Sequence, residues 1–245
     1  MNKERIIKKQ AREALRGNMT ALIAGFLTIT VALVAVYYIF VTPAVALSVV
    51  DPDTDAVADD KELLYMLLAL GALALSMFVS PLVNGFLKLA ADTAVEGRCE
   101  IADLFYYFSR PSLFFRTLAV NAVLISIFAI ISLPVDLAAL VLGNSVPEAV
   151  VVIVKVIWRL FAYIFFVHYP LAAYALDEKR PVHFYLFGCI GFSFRYSGAL
   201  LRLIFSMFGW IALCFFVLPA LYAVPYISVA LMNSARWLFA MNQKI

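Results

Sequence analysis

Apolar positions along this chain fall in long unbroken runs separated by short polar stretches, and the runs do not alternate. A backbone inside lipid can satisfy its own polar groups only as a helix or a closed barrel, and ~20 apolar residues of helix match the bilayer hydrocarbon. Continuous runs therefore predict helices. The first covers about 19–42 and ends at Pro43, and the second runs from Leu63 to about Ala90 with Pro81 and Gly85 inside it. A third, about 112–142, carries Pro134 and Asp136, and the turn Gly143-Asn144-Ser145-Val146-Pro147 returns the chain into a fourth, about 149–176. The fifth covers about 198–218, and a break from Pro219 to Pro225 leads into a shorter sixth ending near Met241. The predicted fold is all-α, a polytopic membrane bundle of six transmembrane helices in one domain, 19–242, preceded by a cytoplasmic amphipathic basic helix over 1–18.

Two aromatic stretches, 101–108 and 181–194, are too short to span and are expected as interfacial helices on the cytoplasmic side. The segment Lys3 to Arg16 carries six positive and two negative charges, with Ile6, Ile7, Ala11, Ala14 and Leu15 able to share one side of a helix. Such a helix is expected to set topology and lie on the anionic inner leaflet, with a partner-binding role as the alternative. Met19 to Val41 is 23 residues, longer than the ~7–15 of a cleavable signal core, so it reads as an uncleaved anchor despite the small residues Ala44-Val45-Ala46 that follow.

Charge distribution sets the orientation. Of 19 Lys and Arg residues, 16 flank the runs on the side of both termini, one (Lys61) lies on the other side, and two are inside a run. Positive residues stay cytoplasmic, which predicts N-in and C-in. The composition agrees with a membrane class: 65% hydrophobic and 14% charged residues, against about 45–50% and ~25% in soluble domains. A net charge of +3 gives no basic surface for nucleic acid. Cys99, Cys189 and Cys214 show no paired spacing, so neither a disulfide framework nor a thiolate metal site is expected. The acidic stretch Asp51 to Glu62 supplies oxygen ligands without the EF-hand pattern, and reads as a solvated outer loop. No phosphate loop, zinc motif or nucleophile elbow occurs, so no catalytic residue, metal or cofactor is assigned.

The residues most able to carry function are the charges inside the third and fourth runs. An ionised group at the bilayer centre costs about 2.5–3.5 kcal/mol even on the lenient insertion scale. Lys155 and Arg159, spaced i, i+4, share one helical face. Asp136 lies across the turn at similar depth to Lys155, each roughly 8–9 Å inside the boundary, with Arg159 at ~15 Å. These positions predict an Asp136–Lys155 contact with Arg159 left facing a cavity or an anionic ligand. A structural ion pair, with Arg159 held by backbone carbonyls, explains the same residues. His168 lies nearly opposite on the helical wheel and reads as a hydrogen-bonded core histidine, with a proton relay as the alternative.

Each pair of runs begins with an aromatic or amphipathic segment and an Arg (Arg16, Arg110, Arg195), which suggests three parallel hairpins about an axis along the membrane normal. Pro81, Asp92, Arg116 and Pro134 recur as Pro170, Asp177, Arg202 and Pro219. Positive loops and helix-ending prolines produce a similar pattern without any repeat.

Several phrases, namely Ala11-Arg12-Glu13-Ala14-Leu15-Arg16-Gly17-Asn18, Pro81-Leu82 with Gly85, Asp103-Leu104-Phe105 with Phe108, Gly209-Trp210 and Pro225-Tyr226, together resemble a bacterial family of uncharacterised multi-pass membrane proteins. That family is akin to the membrane domain of some glycerophosphodiester phosphodiesterases. The resemblance implies six helices and a bacterial cytoplasmic membrane, and brings no catalytic residues. The stretch before Pro225 departs from the Gly-rich phrase expected there. The functional expectation is a non-enzymatic protein handling a small or lipidic ligand, as a transporter component or carrier, with membrane lipids as partners. The rival is an accessory or scaffold protein that binds other membrane proteins.

Overall fold

The computed structural model describes residues 3–49, 61–142, 146–214 and 216–242. Helices form most of the described residues, and no strand occurs among them. The amphipathic helix α1 (Lys3–Leu15) leads into a hairpin of α2 (Met19–Ala46) and α3 (Glu62–Glu96). A 3-10 helix (Ile101–Phe108) precedes α4 (Pro111–Leu142), which pairs with α5 (Glu148–Ala162). A π-helical turn (Tyr163–His168) joins α5 to α6 (Tyr169–Leu176) in one continuous rod. A second π turn (Phe184–Gly188) opens α7 (Cys189–Arg195), followed by α8 (Ser197–Ser206), α9 (Phe208–Leu213) and α10 (Val217–Asn242).

Among the described residues five helices are long and apolar enough to cross a membrane, not six. The expected fifth span is broken at Met207 into α8 and α9, where Lys8 Nζ donates to the Ser206 carbonyl at 2.5 Å and the Ser206 hydroxyl donates back to Leu203 O at 2.6 Å. The expected break from Pro219 to Pro225 is instead inside α10. Pro219 falls in its first turn, where a missing N–H costs nothing, and Pro225 is carried by packing. α2 runs one turn past Pro43, and α3 runs on to Glu96, where Gly97 at φ +74° supplies the left-handed stop.

Burial divides each hairpin at a definite level. Residues 62–80 of α3 are exposed or half-exposed, whereas Pro81 begins a stretch that is largely buried. The second hairpin switches at Ala162 and α10 near Ala220. Side chains that face outward for twenty residues are suited to lipid; those past the switch form the core, which includes Leu89, Leu104, Tyr107, Tyr174, Tyr185 and Tyr226. A buried polar relay marks the level of Pro81. Asn84 donates to Asn121 (3.0 Å), Asn121 donates to the Ser80 hydroxyl (2.8 Å), and Ser80 donates to the Met77 carbonyl that Pro81 cannot serve (2.7 Å).

At the packed end each short segment lies on the return helix of the hairpin before it. The 3-10 helix packs on α3, α7 on α6 and its π turn, and α1 closes the circle on α10. The first contact needs Gly85: a Cβ there would sit 1.9 Å from the Leu104 carbonyl. In the last, Ala11 is fully buried and Leu15 nearly so, so one edge of the expected leaflet-bound helix is inside the protein core. Asn18 fastens this joint, donating to Ala14 O (2.8 Å) and Gly97 O (2.7 Å) and accepting from the Cys99 amide (3.0 Å). The three hairpins are not equivalent, because among the described residues the third has no long outgoing helix.

Candidate functional site

Asp136 sits two residues past Pro134 on α4, and the Trp158 indole of α5 donates to the Ile131 carbonyl beside that proline (2.8 Å), holding the two helices in register. The Asp136–Lys155 contact is present, at 3.4 Å. Arg159 is not left over. Its Nη2 donates to both carboxylate oxygens of Asp136, at 3.0 and 3.2 Å, so the expected free arginine is corrected. Side chains lean toward the N-terminus of their helix, which for α5 is the loop end. The guanidinium therefore climbs to the level of the carboxylate rather than staying at the depth of its own Cα. Two cations share one anion, so the cluster carries a surplus of one positive charge, with Arg159 half exposed (51%) on the flank of the hairpin.

His168 is buried, but its Nδ1 has no hydrogen-bond partner, unlike the expected hydrogen-bonded histidine; its ring faces Tyr163 at 6.0 Å. The acidic stretch from Asp51 to Asp60 lies outside the described residues. Among the described residues no group of three His, Cys, Asp or Glu side chains is placed to hold a metal.

Two cavities lie away from the charge cluster, at the packed end. The larger, about 750 Å³, opens between α1, α8 and α10. Its walls include Ile6, Ile7, Leu200, Leu203 and Leu238, and Glu4 meets Arg202 at 3.8 Å among its lining residues. Asn233, 7% exposed, borders it next to the buried Ser234, and its amide nitrogen is buried without a partner. The Asn233-Ser234 pair interrupting an apolar helix was the available signal in the sequence. The smaller cavity, about 270 Å³, is lined by Ser109, Arg110, Ser112, Arg116 and Glu178 at the start of α4. Here Arg116 donates to the Arg180 carbonyl, and the Tyr106 hydroxyl donates to Glu178 at 2.8 Å. Burial, and then that carboxylate, push the Tyr106 phenol up to about 12.

The chain matches no protein-family profile, no curated protein and no solved structure.

Proposed function

We propose that this chain is a non-enzymatic integral membrane protein that handles a small or lipidic anionic ligand, as a transporter component or membrane carrier. The observation that carries this reading is the surplus positive charge of Asp136, Lys155 and Arg159 on an exposed flank of an apolar hairpin. A charge at that depth is costly unless something pairs with it. An anionic headgroup reaching into the boundary meets the need, and the snorkelled position of Arg159 puts the charge where a headgroup reaches it. The setting is a bacterial cytoplasmic membrane with both termini cytoplasmic. This agrees with the packing of α1 on α10 and with the Arg236–Ala94 contact (3.0 Å), which bring both ends of the chain to the basic end of the molecule. The six-helix bacterial family suggested by the sequence phrases belongs to the same proposal.

Arg159→Leu tests it cleanly, because the remaining Lys155–Asp136 pair is neutral. Native mass spectrometry of protein extracted with its own lipids should show an anionic adduct on the wild type that is lost in the variant. An adduct unchanged by the substitution would overturn the reading. The same surplus charge suits an acidic residue on a partner's helix, and a wild type that retains a second protein in place of an adduct would favour the accessory role.

A further inference from the structure

We propose that the small cavity at the start of α4 binds one phosphate group, with Arg110 and Arg116 as its cations and the Ser112 hydroxyl as a further donor. The site lies toward the opposite end of α4 from Asp136, roughly 30 Å away along the helix, and does not rest on that cluster. Three observations support it. First, the walls are polar and carry a surplus of positive charge. Of the lining residues only Leu113 lacks a polar side-chain group, and two arginines face one carboxylate. Glu178 neutralises neither of them: its carboxylate accepts from the Tyr106 hydroxyl at 2.8 Å, and among the described residues no ion pair involves Arg110, Arg116 or Glu178. The neighbouring charges are already paired, Lys88 with Asp92 at 2.9 Å and Arg180 with Asp177 at 3.3 Å, so the surplus stays with the cavity.

Second, the donors and the size of the cavity suit phosphate. The Arg116 guanidinium donates to the Arg180 carbonyl, a neutral acceptor that fixes its position without cancelling its charge. Arg110 is exposed and can close over a ligand from the other side. A guanidinium matches the oxygens of a phosphate two at a time, and the N-terminus of α4 adds partial positive charge. At the ~30 Å³ a water molecule takes in the liquid, a volume of about 270 Å³ has room for about nine atoms of that size. That holds a phosphate with a short ester substituent and is too little for a nucleotide. Third, the cavity stands where a membrane-length helix begins. α4 is long and apolar enough to cross a bilayer, and Phe108 and Phe115, which flank the cavity residues in the chain, are exposed. Exposed aromatic rings beside polar groups suit the headgroup layer, so a lipid phosphate can enter the cavity with its chains lying along α4. Inorganic phosphate offers the same chemistry.

The test uses the full chain, delipidated in a non-ionic detergent and titrated calorimetrically with dioleoyl phosphatidylglycerol, with sodium phosphate, and with dioleoylglycerol, which has the same chains and no phosphate. We expect one equivalent of at least one phosphate probe to bind the wild type and dioleoylglycerol not to bind. Binding of the lipid alone identifies a headgroup held together with its chains, and binding of inorganic phosphate shows that the free anion suffices. Arg110→Gln should weaken binding about tenfold, the loss of one hydrogen bond to a charged group, without lowering Tm. Glu178→Gln keeps an acceptor for Tyr106 and removes the opposing charge, so it should tighten binding several-fold, a gain that misfolding cannot imitate. Ser112→Glu, at an exposed position in the first turn of α4 where an acidic side chain favours the helix, should abolish binding. Failure of the wild type to bind either phosphate probe, equal binding of dioleoylglycerol, or undiminished binding by Arg110→Gln or by a folded Ser112→Glu protein overturns the proposal. The Arg159→Leu protein should bind the phosphate probes at this site as the wild type does, which separates it from the charge cluster.

Discussion

Individual residues in this protein act through what they share. Asp136 serves two cations at once, so the consequence of a substitution depends on which charge is removed. Asp136→Asn leaves Lys155 and Arg159 as two unneutralised positive charges in an apolar setting, whereas Arg159→Leu leaves a neutral pair. Thermal unfolding in one detergent should therefore rank Asp136→Asn well below Arg159→Leu, with Arg159→Leu near the wild type. Equal Tm values for the two would mean that the cluster is solvated and carries no structural weight. Tyr106 gives a pH-dependent counterpart at the packed end. Its phenol is held neutral in the fold up to about 12, above the ~10 of an unfolded tyrosine. The stability it contributes is complete below pH 10 and is lost as pH rises from about 10 to about 12. Tyr106→Phe should cost about 1 kcal/mol at pH 8 through the lost Glu178 hydrogen bond, and should flatten that alkaline decline in a plot of Tm against pH.

At the scale of elements, prolines mark where a lipid-facing rod becomes a packed one. Pro81 stands at the boundary of α3, and just beyond it Gly85 lets the 3-10 helix come into backbone contact. A methyl group at that position meets a carbonyl rather than a flexible side chain. Gly85→Ala should therefore force the 3-10 helix away and cost about 1–3 kcal/mol, as overpacking does, measurable as a lower midpoint of chemical unfolding. A variant as stable as the wild type would show that this contact is looser than the structure has it. The same elements show what run length conveys. The continuous apolar stretches of α2, α3, α4 and the α5–α6 rod were all legible, because hydropathy is a sum over neighbours in the chain. The break at Met207 was not, because it falls inside an apolar run, at a carbonyl met by a lysine 198 positions earlier in the chain.

For the whole molecule, the decisive contact is that of α1 with α10. A helix anchored on lipid would lose little from truncation of its apolar face, but Leu15 is 4% exposed within the core. Leu15→Ala should cost about 2–5 kcal/mol, read as a large fall in Tm in detergent, where no leaflet is available to hold the helix. A neutral outcome would mean that the contact of α1 with α10 carries no structural weight.

Composition and run length by themselves determined that the chain is helical and largely apolar, where most of its long helices lie, that its short aromatic segments do not span, and that Asp136 comes to Lys155. These follow from the cost of unpaired backbone and charge in hydrocarbon, which is paid locally and is readable residue by residue. Only the tertiary structure decided that Arg159 shares the same carboxylate, that α1 packs along one edge on α10, that the third hairpin lacks a long outgoing helix among the described residues, and that α1, α8 and α10 enclose a cleft. Each of these depends on the choice of partner. An amphipathic face is equally satisfied by a bilayer or by another helix, and only contact between segments far apart in the chain settles which of them it meets.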